Sequence, residues 1–416
     1  MLIQKKGPSK DDRFAEQVYR WRVEYNHGNK DLPKGSYIVD TLSGDNQQYV
    51  TETPGKDFAP VQIWVDGGAW LERDKDYVVE YIGNNQMKIS FPNGLDKPVN
   101  IEYFTKIPFV IDDSNSNTQL KNGVKTDSGV EHSAGGGIQN NGMQKKSDVD
   151  YENRKISWSI DVNIYQYEMA NWELKDTMSE GLTFIKDSLE IQEANGPKLV
   201  LGTDYELVSS DDRNFHVRFK EPRSVSTNKS YTISYQTDFD YRRNDLTNTA
   251  TSYWKGKDGK DHKQSASNKP EIGVNFINDA TKGGSYNAVS KQITWTIKAN
   301  YNLEKLKNAT IVDTIPKEQE YIKDSAHVYE ATISKDGTIN RGAEVKTPIN
   351  LEGNKLTAEL PEGSKKAYIL EFKTSLEGTH ISKGTYDNTA TYKTDSHSTD
   401  VSSSVTVPNG GEIVNK

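Results

Sequence analysis

Apolar and polar side chains alternate along most of the chain in short runs bounded by Gly, Asn, Asp and Ser. In NRKISWSIDVN (153–163), Ile156, Trp158, Ile160 and Val162 fall on one face and polar residues on the other. A period of two is that of a β-strand with one side buried and one side wet. FHVRF, YTISYQT, KLTAEL, AYILEFKT and MKISF repeat it between turn residues spaced roughly every 8–12 positions, the signal of antiparallel sandwiches. Convincing amphipathic helices are missing, and DRFAEQVYRW is the one ambiguous segment.

The pattern also repeats over long range. SKQITWTIKAN (290–300) restates the first strand, with Trp158 and Trp295 separated by 137 (295 − 158). The same offset relates Lys145 to Lys282, Asp176 to Asp313, Asp187 to Asp324 and Thr237 to Thr374, whereas Asn248 and Asn388 differ by 140 (388 − 248), a slip of three residues in one loop. A fainter copy opens the chain, with Trp21, Asp40, Thr105 and Asn117 in the corresponding places. Internal repetition of this kind sets the architecture. It predicts an all-β chain of three tandem immunoglobulin-like antiparallel β-sandwich domains at 1–125, 140–270 and 271–410, with a tail at 411–416. Residues 126–139 lie in a Gly-, Ser- and Asn-rich stretch extending to 142, expected to be a flexible linker or a last strand followed by one.

Composition narrows the function. With 416 residues, 33% hydrophobic and 10% aromatic including 22 Tyr, the chain suits several thin β-layers better than one large core. Net charge is −8 with acids and bases interspersed, so no basic stripe recommends nucleic acid or an anionic membrane as partner. No apolar run is long enough to span a bilayer and no signal-peptide core opens the chain. Cysteine is absent, which excludes disulfides, thiol catalysis and thiolate metal sites.

Each unit offers a Lys on its first strand, an Asp at the end of an early-middle strand and an Asn near the start of a late strand. Buried together, they have a chemistry. Desolvation favours the neutral amine, which is a nucleophile, and the protonated acid, which can hydrogen-bond a carboxamide oxygen. Loss of ammonia would leave a Lys–Asn isopeptide bond. The sets are Lys145, Asp176 and Asn248; Lys282, Asp313 and Asn388; and, in the divergent first unit, Lys5 or Lys6 with Asp40 and Asn117. Lys146 and Lys155 rival Lys145. Taken singly, each residue has an ordinary explanation in turn chemistry or an edge-strand lysine.

KISWSIDVN…LKDTMSEG…YTISYQT…NTATSYW and QITWTIKAN…IVDTIPKE…YILEFKT…NTATYKT resemble the collagen-adhesin type of immunoglobulin-like domain found on Gram-positive surface proteins. The likeness covers about 270 residues well and the first 125 loosely, where NTQ replaces NTA. The resemblance implies an autocatalytic Lys–Asn bond assisted by the acid and a non-enzymatic, monomeric extracellular adhesin. It also implies collagen or another matrix protein as partner, gripped between the first two domains and the 126–142 connection. Cell-wall anchoring would then lie outside this chain, since no LPxTG-type motif follows VPNGGEIVNK. The rival expectations are a structural spacer of a pilus or fibre and, further off, accessory domains of a secreted carbohydrate-active enzyme.

Other sites recede. The seven histidines are scattered without paired spacing, so no metal or cofactor is expected. The acidic loops DDSNSNT (112–118) and SSDDRN (209–214) lack EF-hand order and leave calcium a minority option. NIYQYEMANW and DFDYRR could contact a partner, form strand faces or pack between domains.

Overall fold

The computed structural model describes residues 2–377 and 384–408, and strands dominate it. The expected tail at 411–416 lies outside the described residues. Six antiparallel sheets form three facing pairs, each pair enclosing an apolar core. The one helix among the described residues is the five-residue Val274–Asn278. None is long and apolar enough to cross a membrane.

Six strands recur in every sandwich and are named here by what they carry. The lysine strands are Ile3–Lys10, Gln144–Asp150 and Ala280–Asn287. The tryptophan strands are Val18–Tyr25, Lys155–Val162 and Gln292–Ala299, and the threonine strands Val99–Lys106, Tyr231–Phe239 and Ala367–Ser375. These three are adjacent, in that order, in the first sheet of each sandwich. In the second sheet lie the acid strands Ser36–Leu42, Met169–Met178 and Thr310–Thr314, each beside an asparagine strand, Gln119–Thr126, Asn248–Gly256 or Thr385–Lys393. A closing strand, Glu131–Gly137, Asp261–Asn268 or Ser398–Thr406, pairs with the other edge of the asparagine strand.

Alternation explains the cores. Trp21, Trp158 and Trp295 are fully buried, and each indole N–H donates to the threonine-strand hydroxyl of Thr105, Thr237 or Thr374 at 2.9, 3.0 and 3.1 Å. A buried Trp removes up to about 250 Å² from water, roughly 6 kcal/mol at ~25 cal/mol per Å². Its one polar atom is satisfied within the first sheet, so that gain is not offset by an unpaired donor.

The 126–139 stretch is largely a strand rather than a flexible linker. Glu131–Gly137 pairs in full register with Gln119–Lys125 and flanks the lysine strand. Its small residues disguise the alternation but permit the fit: a Cβ on Gly135 would meet the Leu120 carbonyl at 2.8 Å, and one on Gly136 would meet Pro8 at 3.3 Å. DRFAEQVYRW resolves into turns followed by the strand from Val18.

Packing continues between sandwiches. The Gln139 carbonyl accepts from Gln17 at 2.7 Å and Tyr165 at 2.9 Å, while its N–H donates to Tyr19 at 2.8 Å. His262 meets the Asp112 carboxylate at 2.8 Å. Between the second and third units Tyr151 stacks on Phe276 at 3.9 Å, and the apolar cluster runs on to Tyr301, Ile333 and Ile369.

Candidate functional site: a lysine, an acid and an asparagine inside each sandwich

Strand register brings the three side chains together. Lys5, Lys145 and Lys282 stand opposite Val23, Ile160 and Ile297, each two residues past the core tryptophan. Each amine consequently points inward over the indole, at 5.3, 5.4 and 5.0 Å from the ring centroid. From the facing sheet, Asp40, Asp176 and Asp313 stand opposite Val124, Ala250 and Ala390. The residue two before each of these is an asparagine on the same buried face: Asn122, Asn248 and Asn388. The cluster therefore spans both layers of the sandwich.

In the second domain Lys145 Nζ contacts Asp176 Oδ2, and both side chains have no solvent exposure. The Tyr235 hydroxyl joins all three, 2.7 Å from Lys145 Nζ, 2.8 Å from Asp176 Oδ2 and 2.8 Å from Asn248 Nδ2. In the third domain Lys282 contacts Asp313 with equal burial, but Phe372 replaces the tyrosine. Asn388 lies near enough to bias Asp313, yet among the described residues neither of its amide atoms has a hydrogen-bond partner. Asp176 Oδ1, Asn248 Oδ1 and Asp313 Oδ1 are likewise buried and without a partner among the described residues. Such orphaned atoms cost about 1–3 kcal/mol each and call for a functional explanation.

Burial drives the electrostatics. It lowers the affinity of Lys145 and Lys282 for their protons, against the pull of the neighbouring carboxyl, and raises Asp176 and Asp313 above the ordinary carboxylate range. Both tendencies favour an uncharged amine beside an uncharged acid. A proton on Asp176 Oδ1 or Asp313 Oδ1 would occupy an atom that otherwise has no partner.

In the first domain the amine is that of Lys5, which contacts Asp40 and Tyr103; Lys6 pairs with Glu24 at the surface. Asn117 is not brought to this cluster. It is exposed in the turn before its strand, and its carbonyl accepts from Gln119 at 3.3 Å. Asn122 takes the place, with its amide donating to the Tyr103 hydroxyl at 2.7 Å. Lys146 is exposed, and Lys155 pairs with Asp238 at the surface. Sequence inspection missed Asn122 because NTQ resembles NTA more than NGV does, although NGV holds the register opposite Asp40. It also missed Tyr103 and Tyr235, which a comparison of SYQT with EFKT two positions before the shared Thr marks as variable. The tyrosine-rich segments pack between domains: Tyr167 accepts from the Ile111 N–H at 3.0 Å, and Arg242 reaches Glu304 at 2.9 Å. Of the acidic loops, Asp112 is engaged by His262, and Asp113 by Ser265 at 2.9 Å.

The molecule is an all-β array of immunoglobulin-like sandwiches, each with an ionisable cluster between its layers. It belongs to the collagen binding domain family, whose model matches residues 140–264 and 278–403, more than half of the chain. A search of curated proteins finds no match. Among solved structures, the collagen-binding subdomain of the Enterococcus faecalis surface protein ACE is similar at 14% identity over 31% of this chain and 97% of its own, with a TM-score of 0.27. The E. faecalis MSCRAMM ACE, described as binding its ligands by the collagen hug model, aligns at 12% identity over 65% of this chain and 94% of its own, TM-score 0.28. The C-terminal domain of the Streptococcus agalactiae antigen I/II polypeptide BspA aligns at 15% identity over 64% of this chain and 100% of its own, TM-score 0.25.

Proposed function

We propose that the chain is a cell-surface adhesin region whose second and third sandwiches staple themselves with Lys145–Asn248 and Lys282–Asn388 isopeptide bonds, and that collagen is its partner. The observation that carries the covalent part is the recurrence, in one backbone register, of a solvent-free lysine on one sheet against an acid and an asparagine on the other. The neutral amine attacks the asparagine Cγ, forming the C–N bond, while the protonated acid hydrogen-bonds the amide oxygen and stabilises the tetrahedral intermediate. The acid then relays the amine's proton to the departing nitrogen, the old C–N bond breaks, and ammonia leaves. Asp176 and Asp313 end as they began. Confinement supplies the effective concentration that so poor an electrophile requires.

Such a bond ties a strand near the start of each domain to one near its end. Tension entering at the lysine strand crosses directly to the asparagine strand and bypasses the intervening residues, a property suited to a surface protein under pull. Family membership supports collagen as partner. The packed Glu131–Gly137 strand does not support a grip by a loose 126–142 connection, so the expected wrapping would be confined to residues 138–142.

The test is the intact mass of the denatured chain, with a peptide map. Two missing ammonia molecules, located at the two pairs, are expected, and an unmodified mass would remove the covalent part. Saturable binding to immobilised triple-helical collagen is expected alongside. Its absence would favour a spacer, a reading for which the continuous core between the second and third domains speaks.

A further inference from the structure

The three clusters share a register but differ in what occupies the acid. Asp176 and Asp313 each keep an Oδ1 that has no partner among the described residues. Asp40 does not: Lys5 and the Tyr103 hydroxyl, the latter at 2.8 Å, take its Oδ2, and the Tyr49 hydroxyl lies 2.8 Å from its Oδ1. Tyr49 is buried and stands opposite Thr105 in the first sheet. The residues in the matching register are Phe184, opposite Thr237, and Tyr321, opposite Thr374. Phe184 has no hydroxyl. Tyr321 is half-buried and follows its acid by eight residues (321 − 313), whereas Tyr49 follows by nine (49 − 40), so the extra residue resets the strand that presents the phenol.

The phenol blocks the acid in either protonation state. Donating to Oδ1, it holds a carboxylate. Alternatively it donates to the Asp40 carbonyl, 3.1 Å away, and accepts a proton from Oδ1, which then points at Tyr49. In neither case does the acid's proton face the Asn122 oxygen, which remains without a partner among the described residues. Burial beside Asp40 pushes the Tyr49 phenol well above its ordinary range, so it stays a neutral donor.

We propose that Tyr49 is a specificity-determining residue that silences the cross-linking reaction in the first domain, leaving Lys5 and Asn122 as separate side chains beside two self-stapled domains. This rests on the reading that the second and third domains react. The amide then lacks the hydrogen bond that would make its carbon electrophilic, although amine, acid and amide are all in place.

The experiment is intact mass and peptide mapping of the denatured full chain. The parent should lack two ammonia molecules and yield Lys5 and Asn122 in separate peptides. Tyr49→Phe, which keeps the ring that Phe184 presents in the second domain, should lack three and yield a joined Lys5–Asn122 peptide. Adding Asp40→Ala should return the loss to two. Tyr49→Leu removes the hydroxyl by a different shape and should also produce the joined peptide. A parent already lacking three, or two hydroxyl-free variants that both still lack two, overturns the role of Tyr49. A parent lacking none instead overturns the reading on which it rests.

Discussion

Replacing Asp176 with Ala would separate the proposed staple from the fold it would fasten. The Lys145–Asn248 bond would enclose about 103 residues (248 − 145), and closing a loop of ~100 residues restricts the unfolded chain by about 4.7 kcal/mol. The variant cannot close it, so its denatured mass should lack one ammonia rather than two relative to the mass its own sequence requires, with the third-domain bond intact. Asp176→Ala also strands Lys145 inside the sandwich, a cost of about 3 kcal/mol if the amine stays charged and less as burial strips its proton. Lys145→Met combined with Asp176→Ala removes the stranded amine, and its remaining deficit measures the staple. For a domain of this size, roughly 5 kcal/mol corresponds to a fall of about 15–20 °C in the second-domain transition followed by calorimetry. An Asp176→Ala chain that still lacks both ammonia molecules, or a double variant melting with the parent, would refute the reasoning.

Two further outcomes follow from the same geometry. Tyr235→Phe should still form its bond to completion, because Phe372 occupies the matching place in the third domain, and should lose about 1–2 kcal/mol with the shared hydroxyl; a chain lacking only one ammonia relative to its own sequence would show the hydroxyl to be essential. At the junction of the second and third domains, burial pushes Asp279 up to about 7, while the Asn302 N–H and Arg242 pull it down and Glu304 pushes it up. A raised folded-state value means that stability is fully present below the ordinary value of 3.8 and is lost as pH rises through about 7. That loss amounts to roughly 4 kcal/mol, and Asp279→Asn should abolish it. A melting profile with the same pH slope in parent and variant would contradict this.

The sandwich fold and most of the cluster were legible because each depends on a strict period. Lys145, Asp176 and Asn248 recur with their third-domain counterparts at nearly constant offset, and a period of two then carries all of them inward. The first domain escaped the same treatment. Its turns after Lys10 lengthen the spacing from Lys5 to Trp21, and the asparagine opposite the acid sits in NGV rather than NTA, so only the pairing of Asp40 with Val124 identifies Asn122. The strand at 131–137 escaped because Ala and Gly provide no hydrophobic alternation; what holds it is main-chain pairing and the close approach that glycine permits. Tyr49 was invisible for a different reason, since its reach to Asp40 depends on a one-residue difference in loop length.

The pairing of Glu131–Gly137 with its neighbour also shortens the tether between the first two sandwiches. Only Ile138 to Gly142 remain between the end of that strand and the next core, a leash of about 17 Å when fully drawn out. Any guest admitted between the two lobes must break the grip of Tyr19 and Tyr165 on Gln139 and fit within that reach. A wider guest would have to peel the edge of the first sandwich away residue by residue.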